Sequence, residues 1–183
     1  MIIDPQVDFI EGTLPVPGAK EAMNALADYI KNHASEYDHI LITADHHPFN
    51  HCSFEVAGGP WPRHCVHDSV GAAVWQPIME SLYVVNSKSV FLYKGQNPAA
   101  EEYSIFKNDV SAAEIDRIFK EANIGSVDVC GLSGDICVSD TLEDGIAKYD
   151  SSLFRVIPEY SPSLDGGRRL NEIIQRNNLS CIR

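Results

Sequence analysis

Four reactive side chains follow the buried apolar runs of this sequence. Asp4, Asp45 and Lys94 each come directly after such a run, and Cys137 follows a fourth run near a predicted helix start. In an open parallel sheet these positions share the carboxyl edge of the strands, where ligands bind. A thiol can attack a carbonyl carbon, and a neighbouring carboxylate can take the thiol proton. The spacing therefore predicts nucleophilic chemistry at one edge of a sheet.

Cys137 is the predicted nucleophile. A helix start offers partial positive charge and free amides, and Lys94 adds a full charge, so both features favour the thiolate. We therefore expect the Cys137 pKa to lie well below the ordinary value of about 8.5. Amides between Ser133 and Cys137 would hold an oxyanion. The alternative is that Cys137 is a small apolar core residue and that Asp4 and Lys94 form an inconsequential ion pair.

A carboxylate and several imidazoles cluster after the second run. Asp45, His47 and His51 lie within DHHPFNH, and His64 follows in WPRHC. This is a ligand set for a first-row transition metal, with zinc favoured and iron or manganese as alternatives. Asp45 and His47 point the same way on an extended chain. Such a metal keeps positions open for water and substrate, so it would be catalytic; the alternative is a set of loop histidines in solvent.

Residues beside these histidines allow two further hypotheses. Cys52 and Cys65 each directly follow a histidine, so a structural Cys/His zinc site competes with the catalytic one. That site is disfavoured, because both members of each adjacent pair could hardly face one ion. Phe9 and Trp61 could wall a flat substrate near the same edge, or they could pack in the core.

The periodicity of the chain predicts alternating strands and helices. Strands are expected at 1–3, 39–44, 90–93, 127–132, 153–157 and 180–182. Helices are expected at 19–34, behind a capping box at Ser111–Glu114, from near Asp135, and at 170–177. This order predicts a single α/β domain over 1–183, a three-layer α/β/α sandwich with a mostly parallel sheet. An irregular metal-binding insertion is expected at about 45–85.

Composition limits the partners. The 183 residues are 44% hydrophobic and 22% charged, which is too apolar for disorder. The net charge of −12 repels nucleic acid and anionic membranes, so we expect a small-molecule substrate, with a homo-oligomer left open. No apolar run approaches the ~20 residues of a membrane span, and no secretory signal precedes Asp4. We therefore expect a cytoplasmic protein whose five cysteines are reduced.

Four motifs in order resemble those of the isochorismatase-like cysteine hydrolases. The family opening is similar to IIDPQVDF, and its nucleophile turn is similar to GLSGDICV. The metal-binding segments of its nicotinamidase branch resemble DHHPFNHCSF and WPRHCV, with YKG around Lys94 and EYSIF after it. The resemblance covers most of the chain and implies the isochorismatase-like, Rossmann-like α/β fold.

The resemblance also implies a role for each site residue. These are Asp4, Lys94 and Cys137 as catalytic residues, Ser133 and Cys137 as oxyanion donors, Phe9 and Trp61 as substrate-binding residues, and Asp45, His47, His64 and a fourth residue, His51, as metal ligands. A cis peptide before Ser133 is a further family expectation. The implied activity is metal-dependent hydrolysis of nicotinamide to nicotinate and ammonia, through a cysteine thioester, in NAD salvage. Two alternatives stay open: an amidohydrolase acting on another small amide, and a non-catalytic binding protein with the same fold.

Overall fold

The computed structural model describes residues 1–85 and 89–182. The strands within this part of the chain are β1 Ile2–Ile3, β2 Ile40–Asp45, β3 Ser89–Lys94, β4 Val127–Gly131, β5 Phe154–Val156 and β6 Ser180–Cys181. They form one sheet in the order β3-β2-β1-β4-β5-β6, and each neighbouring pair is parallel. The described strand bounds differ from the predicted ones by at most one residue at either end.

Helices connect successive strands and cover both faces of the sheet. They are α1 Val7–Ile10, α2 Ala19–His33, α3 Gln76–Val85, α4 Asp109–Glu121, α5 Ser139–Lys148 and α6 Arg168–Asn177. The core between the sheet and α2 and α3 is one apolar cluster, and α4, α5 and α6 pack on the opposite face. The predicted three-layer α/β/α sandwich is confirmed. No helix of the described residues combines the length and apolar character that crossing a bilayer requires.

Burial on both faces explains why the strands are continuous apolar runs. Ile2 and Ile42 pack into the cluster beneath α2, whereas their neighbours Ile3 and Leu41 face the other helices. Because successive side chains of a strand point to opposite faces, a strand covered on both sides is apolar at most positions. The polar residues that end these strands therefore stand out in the sequence.

Two local predictions are wrong. The stretch 45–85 is not irregular throughout, because its last part is α3, which packs against α2 and connects β2 to β3. Helix α4 is capped by Asn108 rather than Ser111, since the Asn108 side chain accepts from the Ser111 N–H at 3.1 Å. Asn is as good a cap as Ser. The Ser111 hydroxyl instead donates to the carbonyl of Tyr93 at 2.7 Å, at the edge of the sheet.

The strand order places a crevice at the end of β1. Strand β1 lies between β2 and β4, and from this point the chain builds the sheet in opposite directions. Helices that leave neighbouring strands on opposite faces open a gap at the carboxyl ends of those strands, which is where open α/β sheets bind ligands. Asp4, directly after β1, therefore lies at the switch point of the fold.

Candidate active site

Asp4 is a fully buried carboxylate held on two sides. Its N–H donates to the Thr43 carbonyl at 3.1 Å, and the Thr43 hydroxyl donates to Asp4 Oδ1 at 2.6 Å. Its other oxygen, Oδ2, lies 2.9 Å from Lys94 Nζ. The φ angle of Asp4 is 45°, a region that residues other than glycine rarely adopt. Backbone strain of this kind persists where the surroundings fix it, and it often occurs at functional sites.

Lys94 brings the buried polar groups together. It ends β3 opposite Asp45 in the β2–β3 register, and its Nζ lies 2.5 Å from Asp45 Oδ1 and 3.6 Å from Cys137 Sγ. Burial by itself lowers the pKa of an amine, but the charges of Asp4 and Asp45 outweigh burial and raise the Lys94 pKa well above its ordinary value. Lys94 therefore stays an ammonium ion between two carboxylates.

Cys137 lies in a π-helical turn, Gly134–Val138, that leads into α5. Its pKa is raised well above the ordinary value, first by burial and then by Asp4 and Asp45, and Lys94 only partly offsets this. The sequence-based expectation of a lowered thiol pKa is therefore wrong. The main reason is burial of the thiol, and the second is that the Lys94 charge is already shared by two carboxylates; the spacing of the residues could show neither.

A protonated thiol needs a base, and Asp4 is placed to be one. Burial raises the Asp4 pKa, with a further contribution from Asp45, although Lys94 opposes it. A carboxylate with a raised pKa is a stronger base. The peptide bond between Leu132 and Ser133 is cis, and Ser133 lines the same cavity as Cys137. The structure thus brings together the predicted nucleophile, base, ammonium group and oxyanion turn.

Asp45, His47 and His64 form a buried group of metal-binding donors. One donor atom from each lies within 4.8 Å of the other two. His47 Nδ1 must donate to the Gly95 carbonyl at 2.9 Å, and His64 Nδ1 to the Pro62 carbonyl at 2.8 Å, because a carbonyl only accepts. In its neutral form, each imidazole held in this way carries a free lone pair on Nε2, the usual arrangement of histidine ligands. Burial lowers the His47 pKa, but the hydrogen bond and the charge of Asp45 outweigh burial and raise it, so a cation there would displace a proton from His47.

The electrostatics of this group also fit a metal. The buried Nε2 of His47 has no hydrogen-bond partner among the described residues and lies 3.6 Å from Asp45 Oδ2. Burial raises the Asp45 pKa, but the charge of Lys94 and the contact with His47 outweigh burial and hold it well below its usual range. Burial lowers the His64 pKa. Asp45 is therefore ionised and His64 neutral at neutral pH, the forms that bind a divalent cation.

His51 lies next to the group but is turned away from it. Its ring stacks on His47 with a centroid distance of 4.0 Å. Its Nε2 donates to the Ala100 carbonyl at 3.1 Å, so its Nδ1 accepts from the Ser53 hydroxyl at 2.7 Å. The structure thus gathers three of the four expected ligands. Among the described residues, the group of Asp45, His47 and His64 includes neither Cys52 nor Cys65.

One cavity of about 380 Å³, including the space open to solvent at its mouth, joins the two groups. It is lined by Phe9, Leu14, Val16, Asp45, Trp61, His64, Glu101, Tyr103, Ser133, Ile136, Cys137 and Leu164. Phe9 is buried and Trp61 half-buried, and the Trp61 indole N–H donates to the Tyr103 hydroxyl at 2.9 Å. Phe9 and Trp61 therefore line the same cavity as Cys137.

Two positioning residues that sequence reasoning did not assign are Gln6 and Asp8. The Gln6 amide donates to the Asp45 carbonyl and accepts from the Asp45 N–H, both at 2.8 Å, which fixes the end of β2. The Asp8 carboxylate accepts from the Cys65 N–H at 2.7 Å, next to His64. Both lie inside the opening motif IIDPQVDF. The available signal in the sequence was the presence of polar residues between apolar ones in that motif.

Asp135 ties the nucleophile turn to a loop at the mouth of the cavity. Its Oδ1 accepts from the Leu164 N–H at 3.1 Å, and its Oδ2 accepts from the Asp165 N–H at 3.0 Å. In addition, the Gly134 N–H donates to the Pro162 carbonyl at 2.8 Å. Leu164, a cavity residue that is 41% exposed, is thereby held against the turn that carries the nucleophile.

Comparisons with known proteins agree with this geometry. Residues 1–148 match the isochorismatase domain. The nicotinamidase/pyrazinamidase of Mycobacterium tuberculosis is 34% identical over 155 residues, which span 80% of this chain and 77% of that protein. The match to the family domain includes Asp4, Lys94 and Cys137 as well as the donors Asp45, His47 and His64.

Solved structures are similar over the whole chain. The pyrazinamidase of Pyrococcus horikoshii in complex with zinc superposes with a TM-score of 0.81 at 29% identity, covering 100% of this chain and 96% of that one. PnC1 from L. infantum in complex with nicotinate gives a TM-score of 0.80 at 28% identity, covering 100% and 90%. The overall fold is therefore shared with these structures.

Proposed function

The chain belongs to the isochorismatase family, and on that premise we propose that it is a nicotinamidase, an amidohydrolase that converts nicotinamide to nicotinate and ammonia. The observation that carries the proposal is the buried cluster of Asp4, Lys94 and Cys137 beside a group of metal-binding donors. The Mycobacterium tuberculosis relative, named for both nicotinamide and pyrazinamide, and the neighbour bound to nicotinate support this substrate class.

The first half of the reaction forms a thioester. Cys137 Sγ attacks the carboxamide carbon while Asp4 takes the thiol proton. Amides of Ser133 and Cys137 hold the developing oxyanion, which is a large contribution in acyl transfer. Asp4 then gives its proton to the departing nitrogen, the C–N bond breaks, and ammonia leaves. Lys94 orients Asp4 through the 2.9 Å contact and keeps a positive charge beside the reacting groups.

The second half hydrolyses the thioester. A water molecule attacks the acyl carbon and Asp4 takes a proton from it. The C–S bond then breaks, the Cys137 sulfur regains a proton, and nicotinate is released. The same carboxylate thus serves as base and acid in turn, which its raised pKa supports. Nicotinate released in this way would be available for NAD salvage.

A divalent metal, zinc first and iron or manganese as alternatives, fits the group of three donors. Asp45 Oδ2 and the Nε2 atoms of His47 and His64 would hold it. When bound, it supplies a Lewis acid for the ring nitrogen of the substrate. Phe9 and Trp61 wall the cavity beside it and would flank the ring.

Ammonia release tests the proposal. We expect release from nicotinamide and pyrazinamide, loss of release after treatment with a chelator, and recovery with zinc. Benzamide lacks the ring nitrogen, so its kcat/KM should be at least ~100-fold lower. Cys137→Ala should release none.

Each contrary result points to a different function. No ammonia from nicotinamide would contradict the proposal and favour another small amide or a binding role. Equal kcat/KM for benzamide and nicotinamide would show that the ring is recognised by stacking alone. Activity that survives complete removal of metal would leave a metal-independent cysteine amidase.

A further inference from the structure

Glu101 carries a buried carboxylate oxygen that finds no partner in the protein. Its Oε1 accepts from the Glu102 N–H at 2.9 Å, but its buried Oε2 has no hydrogen-bond partner among the described residues. Leaving a buried polar group unpaired costs stability, so the few unpaired groups of a protein call for an explanation. Glu101 lines the cavity that holds Cys137 and His64, so a ligand in that cavity can supply the missing donor.

The segment that carries Glu101 lies against the metal-binding group. His51, stacked on His47, donates to the carbonyl of Ala100, the residue just before Glu101. The negative charge of Glu101 also acts on His64, because it partly offsets the lowering of the His64 pKa that burial causes. Glu101 is therefore a second carboxylate, besides Asp45, that faces this side of the cavity.

The group of Asp45, His47 and His64 carries too little negative charge to neutralise a divalent cation. One oxygen of Asp45 is bound by Lys94, and His47 and His64 bring no negative charge. The positive charge of a divalent cation held there would be only partly neutralised. Glu101 does not belong to the group of close donors, so it would not reach the cation directly. Three protein ligands leave open positions that water fills, and such water is a strong hydrogen-bond donor.

We propose that Glu101 is a positioning residue of the metal centre, whose Oε2 accepts a hydrogen bond from a water ligand and whose charge strengthens metal binding. The inference rests on the proposed function in one respect, the presence of a divalent cation at Asp45, His47 and His64. It assigns a role to a residue outside the sequence motifs that bind the metal.

Zinc affinity measures this role without any substrate. Metal-free protein is titrated with zinc against a chromogenic chelator, for the wild type, Glu101→Gln, Glu101→Ala and Glu172→Gln. Partners of this kind are worth 10–100-fold in affinity, so we expect Kd to rise about 10-fold in Glu101→Gln and further in Glu101→Ala. Glu172 is exposed on α6, so Glu172→Gln makes the same charge change away from the cavity and should leave Kd unchanged.

The unfolding temperature of the metal-free variants separates this role from packing. Glu101→Gln preserves the shape of the side chain, so its metal-free Tm should equal that of the wild type or exceed it. Unchanged zinc Kd in both Glu101 variants overturns the inference, whatever their Tm. Zinc binding lost as completely as in His64→Ala makes Glu101 a direct ligand and overturns the water-mediated contact.

The proposed function fails separately. The wild-type protein could bind zinc more tightly than the Glu101 variants and yet release no ammonia from nicotinamide. That result contradicts the nicotinamidase proposal and leaves the role of Glu101 unchanged. A wild-type protein that binds no zinc, iron or manganese overturns the inference about Glu101, while ammonia release then decides the function.

Discussion

Lys94 Nζ lies 3.6 Å from Cys137 Sγ, yet the thiol is not the main partner of this ammonium. Asp45 Oδ1 at 2.5 Å and Asp4 Oδ2 at 2.9 Å are both closer. A cation already shared by two carboxylates stabilises a third anion only weakly. Cys137 therefore rests as a thiol, and catalysis depends on transfer of its proton to Asp4.

Alkylation of Cys137 should report this protonated state. Because the pKa of Cys137 is raised, its thiolate fraction should grow about tenfold for each pH unit across about pH 6 to 8.5. The rate of reaction with iodoacetamide, followed by mass spectrometry of the peptide, should rise with the same slope. Cys137→Ser gives the background from the exposed Cys181. A rate that levels off near neutral pH would show a preformed thiolate instead.

Lys94→Met should destabilise the fold as well as stop turnover. It leaves Asp4 and Asp45 buried without their cation, and breaking a buried pair in this way costs about 3–5 kcal/mol. Asp4 would then have a still higher pKa when folded than when unfolded. A raised pKa gives stability below the unfolded value that is lost as pH rises, so the loss should be larger at about pH 8 than at about pH 4.

Urea unfolding at the two pH values measures this difference. Lys20→Met is the matched control, because Lys20 is exposed and pairs with the exposed Glu11 at 2.6 Å. It should change the free energy of unfolding by less than about 1 kcal/mol. Similar losses in the two variants, or a loss from Lys94→Met that does not depend on pH, would contradict the buried-cation argument.

Metal content should distinguish the histidines. His47→Ala and His64→Ala remove free Nε2 donors and should lower the metal bound per chain from about one to near zero. His51→Ala should retain it, since both ring nitrogens of His51 are engaged elsewhere. Elemental analysis after purification without chelator gives the comparison. A His51→Ala protein without metal would make His51 a ligand after all.

The sequence predicted that the reactive side chains lie close together, because residues that follow parallel strands all lie at the carboxyl edge of the sheet. Asp4 and Asp45 follow or end strands that are buried on both faces, and Lys94 ends the partly buried edge strand β3, so each interrupts an otherwise apolar run. The thiol pKa was not predictable, because it depends first on how deeply Cys137 is buried and then on how Lys94 divides its charge among three neighbours. Sequence spacing shows that charges meet, but it does not show which contact is shortest.

The errors in the fold have similar local causes. Helix α3 was not predicted because Tyr83 and Val84 are apolar and yet exposed, so its apolar residues do not mark a single buried face. Ser111 has the right residue type for a cap, but its hydroxyl is taken by the carbonyl of Tyr93 from another element. Glu101 lies in an irregular segment, so no pattern in the sequence could place its carboxylate in the cavity.

Gly95→Ala should weaken metal binding although it replaces none of the ligands. Gly95 has a φ of 71°, and a Cβ there would lie 2.4 Å from the Cε1 of His47. The ring would have to move and would lose its hydrogen bond to the Gly95 carbonyl. We expect the zinc Kd to rise at least 10-fold, as for other losses of a ligand's supporting partner. Gly125→Ala is the control, since a Cβ at Gly125 meets nothing within 4 Å; equal Kd values for the two variants would refute the steric argument.

Asp135→Asn should loosen the cavity mouth and act mainly on KM. The Asp135 carboxylate accepts backbone N–H groups from both Leu164 and Asp165, and hydrogen bonds to a charged group contribute about 1.5–3 kcal/mol each. An amide accepts with only one of its two polar atoms, so one of these bonds is lost. The loop would then hold Leu164 less firmly over the bound substrate, and KM should rise about 10-fold while kcat changes little.

Two further variants test this explanation. Leu164→Ala removes the side chain that lines the cavity and should raise KM in the same way, whereas Asp38→Asn, at an exposed site, should not. A fall in kcat with unchanged KM in Asp135→Asn would mean that Asp135 instead supports the turn that aims Cys137.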